Sequence, residues 1–559
     1  MPAASGGSAW AKFSAKGDGL IAFLEKERLS VIGIFVYVIL LAVGRDLAEY
    51  YLLDADFINT VHPWIFSIAH HVAFYVVVFL GLVLLLTAFS GRGFRRSLNL
   101  ITNIYWLILL PPFLDHFLFG LNESYAYFSW TEFLNAFFQF QGRTFHPGQG
   151  LEIVAFLFAM FSYAIWPQRH TLFFLRERAV TLLRVFFLVL FTIASMFLIA
   201  TPGAYLPVGN INGMPEFPYF DQTKYYQFHM YLVMYYLLAG ILLVTLIGYL
   251  AMKGSFRRQV TSMRPFQTLF FGMIVAGGMV VGWRAVNPDL VMSIAQTPYW
   301  VNITFVILSI ASALLAWQVS TIWNDIADSR FDDPGKTWRT IASGTVDRGT
   351  MLQGSIVMML TALMVAFLLS FTEFLILAGV FALSYLYSFK PVRFKDQVMS
   401  PALIGIGAAL AFFYGYLTPY SVVETMYQYD TPVIYLTGAV GVAPLSLTAF
   451  IIGAVIFLGL VIGSMVTDVT GYEEDRRAKV RTVYTTLGPD RGAVLVSALI
   501  IGASLTPLIL FSKGLDIFLF PALGILAAIT FYKYRSSRTV MLIALAGFVY
   551  ATIRYLGIL

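Results

Sequence analysis

The chemistry in this chain is concentrated where apolar runs give way to clusters of charge. One such run ends in Asn324-Asp325-Ile326-Ala327-Asp328-Ser329-Arg330-Phe331-Asp332, followed shortly by Lys336 and Arg339. Asn324, Asp328 and Asp332 are spaced i, i+4 and i+8, which predicts one face of a helix continuing the apolar run. Carboxylates gathered this closely, Asp325 included, repel one another unless a cation neutralises them. Hard oxygen donors of this kind suit Mg²⁺, which binds through a few carboxylates and completes its shell with substrate phosphates. Lys336 and Arg339 stand where they can clamp phosphate oxygens. A second acidic stretch runs from Asp468 to Gly488 and carries Asp468, Glu474 and Asp475. Asp468 and Asp475 are seven apart, the spacing of a shared helix face. Between the two lies a basic stretch with Tyr387, Lys390, Arg393 and Lys395.

The elements that position these residues are membrane spans. Hydrophobic residues are 59% of the 559 and charged residues 12%, against roughly 25% charged in soluble proteins. The formal charge of +6 is spread over short Lys/Arg clusters between apolar runs. No basic face interleaved with aromatics is present, so a nucleic-acid partner is not expected. There is no cysteine, which excludes disulfides, thiolate metal sites and cysteine nucleophiles. The first residues lack signal-peptide order, so the first span is expected to act as its own start signal.

Runs long enough to cross a bilayer number about fifteen, giving an all-α, polytopic membrane helix bundle. The predicted spans are 30–44, 68–90, 100–118, 151–166, 182–200 and 228–252, then 266–284, 300–323, 351–370, 373–389, 399–418, 446–467, 491–512, 516–533 and 538–556. Every second connecting loop is basic, starting with Lys12, Lys16, Lys26 and Arg28 and continuing through Arg92, Arg95 and Arg96. That alternation predicts a cytoplasmic N-terminus and an outer C-terminus. It also places both acidic stretches and the basic one on the cytoplasmic face, where together they can form a metal–diphosphate site. A change in character near the basic loop 255–265 divides the chain into 1–260, which holds all seven histidines, and 261–559.

Residues 266–556 resemble the UbiA superfamily of intramembrane prenyltransferases. Asn324, Asp328 and Asp332 match its first aspartate-rich motif, and Trp338 to Gly344 resembles the continuation of that motif. Tyr387 to Lys395 is similar to a Y-S-x-x-P-x-R-x-K loop of several branches, and Glu473 to Gly488 to the second motif. Gly471 stands where the family has the first Asp of its second pair, Lys479 replaces a common Gly, and Tyr484 a common Pro. The resemblance implies a nine-helix domain that transfers an isoprenyl group from a polyprenyl diphosphate to a hydrophobic acceptor. It implies two Mg²⁺ ions, one on Asn324, Asp325, Asp328 and Asp332, and one on Asp475 with Asp468 or Glu474. Asn324, Asp328, Asp332 and Asp475 would be catalytic, and Lys336, Arg339, Lys390, Arg393 and Tyr387 would hold the diphosphate. Family acceptors include quinone precursors, chlorophyllide, haem and glycerol-phosphate lipids; the basic loop leans toward the chlorophyll-synthase and archaeal-lipid branches. The expected location is a prokaryotic plasma membrane. A carrier or scaffold subunit that keeps the fold without the chemistry is the alternative, which Gly471 favours.

The N-terminal part has no recognised resemblance. His70, His71, Asp115, His116, His146, Glu152 and His229 fall at the predicted outer ends of spans. Imidazoles with carboxylates can bind zinc, iron or copper, so an outer metal or cofactor site is one expectation. Ordinary gathering of polar and aromatic side chains at the membrane interface is the other. The aromatic, Gly- and Pro-rich stretches 119–150 and 201–227 are candidate docking surfaces for a protein or lipid partner.

Overall fold

The structure, a computed structural model, describes residues 6–53, 64–122, 146–166, 175–200, 222–251, 263–285, 299–329, 347–427, 446–477 and 480–557. Among them every regular element is helical, and fifteen helices are long and apolar enough to cross a membrane. This is an all-α integral membrane protein. The chain divides into two compact units: the first is essentially Met1–Arg257, and the second comprises Arg258–Thr297, Phe305–Gln428 and Val433–Leu559.

The first unit contains α1 (Gly6–Leu24), α2 (Val31–Leu52), α3 (Trp64–Phe89), α4 (Phe94–Ile104), α5 (Leu110–Phe119), α6 (Pro147–Ile165), α7 (Leu175–Ala200) and α8 (Gln222–Ala251). Two elements differ from the sequence expectation. The first span does not stop at residue 44 but runs through Arg45, Asp46 and Glu49 to Leu52, because those charges find partners on its own next turn and on neighbouring segments instead of water. The third is not one continuous α-helix. Residues Tyr105–Leu109 tighten into a 3₁₀ turn and Pro111-Pro112 start a new helix, since proline has no amide hydrogen to continue the ladder. Ala42, Leu86, Ile101, Ile108 and Met160 form the core where α2 to α6 meet.

The second unit contains α9 (Pro265–Ala285), α10 (Tyr299–Asp328), α11 (Arg348–Leu369), α12 (Phe371–Ser388), α13 (Ser400–Tyr427) and α14 (Leu447–Asp468). The short α15 (Tyr472–Arg477) and α16 (Val483–Leu487) follow, then α17 (Pro489–Leu505), α18 (Asp516–Tyr534) and α19 (Ser537–Leu556). Side-chain caps set several starts: Asp347 accepts from Thr350 N, Ser370 from Glu373 N, Ser446 from Ala449 N and Ser536 from Thr539 N.

Helices α9 and α13 cross at backbone contact. A Cβ on Gly278 would meet Phe412 O at 2.1 Å, and one on Gly415 would meet Val275 O at 1.9 Å. Only glycine permits this approach, the usual device for close helix association in lipid. Helix α10 has 30 residues, so it is roughly 45 Å long against a hydrocarbon core of about 30 Å. Its length exceeds that thickness, and Asn324 and Asp328 lie on its last two turns.

Candidate functional site

Packing fixes the register of α10 just before its polar end. Trp323 is buried, donates from Nε1 to Ser355 Oγ at 3.0 Å on α11, and meets Tyr385 and Phe389 edge-on. One turn earlier Ser320 shares a hydrogen bond of 2.6 Å with Ser384 of α12. These contacts leave Asn324 and Asp328 on the face of α10 that meets the loop between α12 and α13.

That loop brings the cations. Arg393 N donates to Phe389 O at 2.9 Å, and a 3₁₀ turn at Phe394–Asp396 aims two side chains at the acidic turn. Arg393 Nη2 donates to Asp328 Oδ1 at 3.2 Å, and its Nε pairs with Asp396 at 3.0 Å. Lys395 Nζ donates to Asn324 Oδ1 at 3.0 Å and also to Asp328 Oδ2. Asn324 Oδ1 and Asp328 Oδ2, one helical turn apart, thus converge on a single positive charge. The side chain of Asp328 is 11% exposed and that of Lys395 28%. Asp325, rotated onto the next face, accepts from Arg264 Nη2 at 2.8 Å, just ahead of α9.

The second acidic stretch is joined to the same place. Arg481 N donates to Asp396 O at 3.2 Å, tying it to the basic loop. Asp468 ends α14, and a 3₁₀ turn at Val469–Gly471 precedes α15. The seven-residue spacing therefore does not run along one α-helix, yet Asp475 still lies close enough to Asp468 for the two carboxylates to repel. A Cβ on Gly471 would lie 3.5 Å from Asp475 Oδ2. Tyr387, whose hydroxyl accepts from Ser400 Oγ at 3.3 Å, is within the fields of both Asp468 and Asp328. Lys390 is exposed. Burial pushes the fully buried Tyr484 hydroxyl well above the ordinary tyrosine range, with Asp468 adding to the effect, so this residue stays neutral.

The structure thus brings Asn324, Asp328, Arg393 and Tyr387 of the expected set together, with Asp468 and Asp475 alongside. Asp332, Lys336 and Arg339 lie outside the described residues, as does the side chain of Glu474. Two participants carry no assigned role in the sequence reading: Lys395, which reads as one more charge of the basic loop, and Arg264, which reads as an orientation signal. Left-handed backbone marks this end of the unit. Among the described residues the non-glycine positions with positive φ are Arg264, Arg393 and Arg535, and each is ion-paired to an aspartate. Conformations that cost about 1 kcal/mol or more persist where surrounding contacts hold them.

The donor set fits a hard divalent cation that keeps most of its shell for other ligands: one carboxylate and one amide oxygen already point at a common positive charge. Among the described residues no three His, Cys, Asp or Glu side chains converge as metal ligands.

The described histidines of the first unit meet different polar or aromatic partners, and the ring centroids of His70 and His71 lie 4.7 Å apart. His71 Nδ1 is 2.5 Å from Asp46 Oδ1, and His146 Nδ1 is 3.9 Å from Asp115 Oδ2. His116 Nδ1 bonds Asn122 at 3.0 Å, and His70 stacks on Tyr236. Glu152 lies in the fields of Arg45, Glu49 and Asp115. The side chain of His229, most of 119–150 and residues 201–221 lie outside the described set.

Residues 288–544 match the model of the UbiA prenyltransferase family. No family model matches the N-terminal half, and no curated protein matches the chain. Among solved structures, a digeranylgeranylglyceryl phosphate synthase is 15% identical, covering 54% of this chain and 99% of that one, with a TM-score of 0.38. A UbiA homolog from Archaeoglobus fulgidus bound to DMAPP and Mg²⁺ is 16% identical, covering 52% and 96%, with a TM-score of 0.35. The same homolog bound to GPP and Mg²⁺ is 16% identical, covering 53% and 98%, with a TM-score of 0.36.

Proposed function

We propose that the second unit is a Mg²⁺-dependent intramembrane prenyltransferase, moving an isoprenyl group from a polyprenyl diphosphate to a hydrophobic acceptor. The observation that carries this reading is the meeting, inside the family-matched region, of an acidic helix end and a two-cation loop at Asp328. A bound divalent ion would be held by Asn324 and Asp328, with Asp332 as the further ligand the sequence motif offers, and would supply neutralising charge to a departing diphosphate. Asp475 with Asp468 or Glu474 would hold a second ion.

The chain's own groups do the rest. As the allylic C–O bond breaks, the electron pair leaves with the diphosphate, and Arg393 and Lys395 are placed to stabilise that charge. Lys336, Arg339, Lys390 and Tyr387 are further contacts to the diphosphate. The apolar bundle shelters the tail and keeps water from the allylic cation. The acceptor then forms the new bond and loses a proton. With basic loops inside, this site faces the cytoplasm. The acceptor is an aromatic or lipid molecule taken from the bilayer. Asp325, already paired with Arg264, serves to orient the helix end and not as a first choice of metal ligand.

The test is transfer of radiolabelled geranylgeranyl diphosphate into lipid extract by the purified protein, with and without Mg²⁺, beside Asp328→Ala. Label entering a new lipid only with Mg²⁺ and intact Asp328 supports the enzyme, and the product's mass names the acceptor. Diphosphate binding without transfer from any donor favours the carrier or scaffold reading, for which Gly471 speaks.

A further inference from the structure

We infer that Lys395 is an exchangeable counter-ion of Asp328, so that the acidic turn admits a divalent cation readily only when a diphosphate arrives to take Lys395 over. The inference rests on the metal–diphosphate reading of this site and adds to it an order of events and a residue that enforces it.

Both carboxylate oxygens of Asp328 are engaged by cations of one short loop, Oδ1 by Arg393 and Oδ2 by Lys395. Lys395 also takes Asn324 Oδ1, the second oxygen that the helix face offers. A magnesium ion binds oxygen at about 2.0–2.1 Å. An ammonium held on the same two oxygens leaves no room for it and repels it. Metal entry therefore requires Lys395 to leave.

Leaving has a cost that depends on where the ammonium goes. The Lys395 side chain is only 28% exposed, and the loop carrying it is anchored by Arg393 N to Phe389 O and by Arg481 N to Asp396 O. The ammonium can swing on its four-carbon stem, but the loop keeps it near the site. An arriving diphosphate gives it a new anionic partner at that spot. Metal and diphosphate then each lower the cost of binding the other, and by linkage the two effects are equal. Arg393 differs in having a second carboxylate, Asp396, which it keeps when Asp328 is taken. Among the described residues Lys395 has no such second carboxylate on the loop, which makes it the residue whose release sets the coupling.

The measurement is Mn²⁺ binding by electron paramagnetic resonance on the full-length protein in detergent, without diphosphate. Wild type, Lys395→Met, Lys395→Gln, Lys395→Arg and Asp328→Asn are compared, and thermal melting confirms that each is folded. Removing the ammonium should tighten Mn²⁺ binding about ten-fold, within the roughly 5–150-fold span of ordinary site couplings; Lys395→Arg should stay near wild type. Bound ³²P-labelled inorganic pyrophosphate is then measured with and without Mn²⁺, and the gain from Mn²⁺ should be larger in wild type than in Lys395→Met or Lys395→Gln. If both neutral variants bind Mn²⁺ no tighter than wild type while Asp328→Asn abolishes binding, the exchange is wrong and the metal site stands. If Asp328→Asn binds Mn²⁺ as wild type does, with or without pyrophosphate, the metal–diphosphate reading itself falls.

Discussion

Both units bring ionisable side chains out of water, but they do so at different places on their helices. In the first unit Arg45, Asp46 and Glu49 lie within α2, and their partners come from its own next turn and from neighbouring segments. Arg45 is fully buried, pairs with Glu49 at 2.5 Å and donates to Ile108 O at 2.7 Å. Asp46 takes His71 from α3, and Asp115 takes the amide of Gly148 at 2.6 Å from α6. In the second unit Asp325 and Asp328 sit at the end of α10, and their cations Arg264, Arg393 and Lys395 come from outside the spans. Charges buried within spans are held by whole helices and cannot exchange partners without moving them. Charges at the ends, met by long side chains on a loop, can. The first arrangement suits a fixed polar network, and the second suits a site that trades an internal cation for a substrate.

This contrast can be broken by mutation, beginning where the effect is largest. Asp328→Ala should lower prenyl transfer by about 10³-fold, near 4 kcal/mol of transition-state stabilisation, with little change in melting. Arg45→Leu should do the reverse. It strands Glu49 inside the bundle, so the melting temperature should fall by the equivalent of about 3 kcal/mol, while the folded fraction still transfers label. Transfer lost in proportion beyond unfolding would show that the two units are functionally coupled. Gly415→Val drives a side chain into the backbone of α9 and should cost about 3 kcal/mol, read as loss of monodisperse protein on gel filtration. Asp325→Asn, which weakens the pair with Arg264, should cost about 1 kcal/mol in stability and leave Mn²⁺ affinity within a factor of about three. A loss matching that of Asp328→Asn would instead make Asp325 a ligand. Arg535→Ala removes a pair to Asp490, whose side chain is 95% exposed, and should shift melting by no more than a few tenths of a kcal/mol.

Much of this organisation is legible along the chain. Hydrophobic length is a local property, so the spans can be read one at a time, and the described residues contain fifteen helices long and apolar enough to cross a membrane. Asn324 and Asp328 sit one turn apart on a helix that continues past its apolar run through Asp328, as their spacing predicts. The readings that shifted depended on partners elsewhere. A hydropathy scan ends the first span before Arg45, because a charge is costly in lipid unless something answers it. Ile108, which answers Arg45, is 63 residues away. The seven-residue spacing of Asp468 and Asp475 suggests one α-helix, but a 3₁₀ turn intervenes.

The sequence by itself therefore determined which segments enter the membrane, where the acidic turns fall and which donor chemistry they offer. Apolar length, helical period and ligand hardness are all set by neighbouring residues. Only the tertiary structure decided which cation meets which carboxylate. Lys395 and Asp328 are 67 residues apart, and Arg264 and Asp325 are 61. Neither pairing has any local signature, because each is made by the packing of helices that bring distant loops to the same end of the bundle.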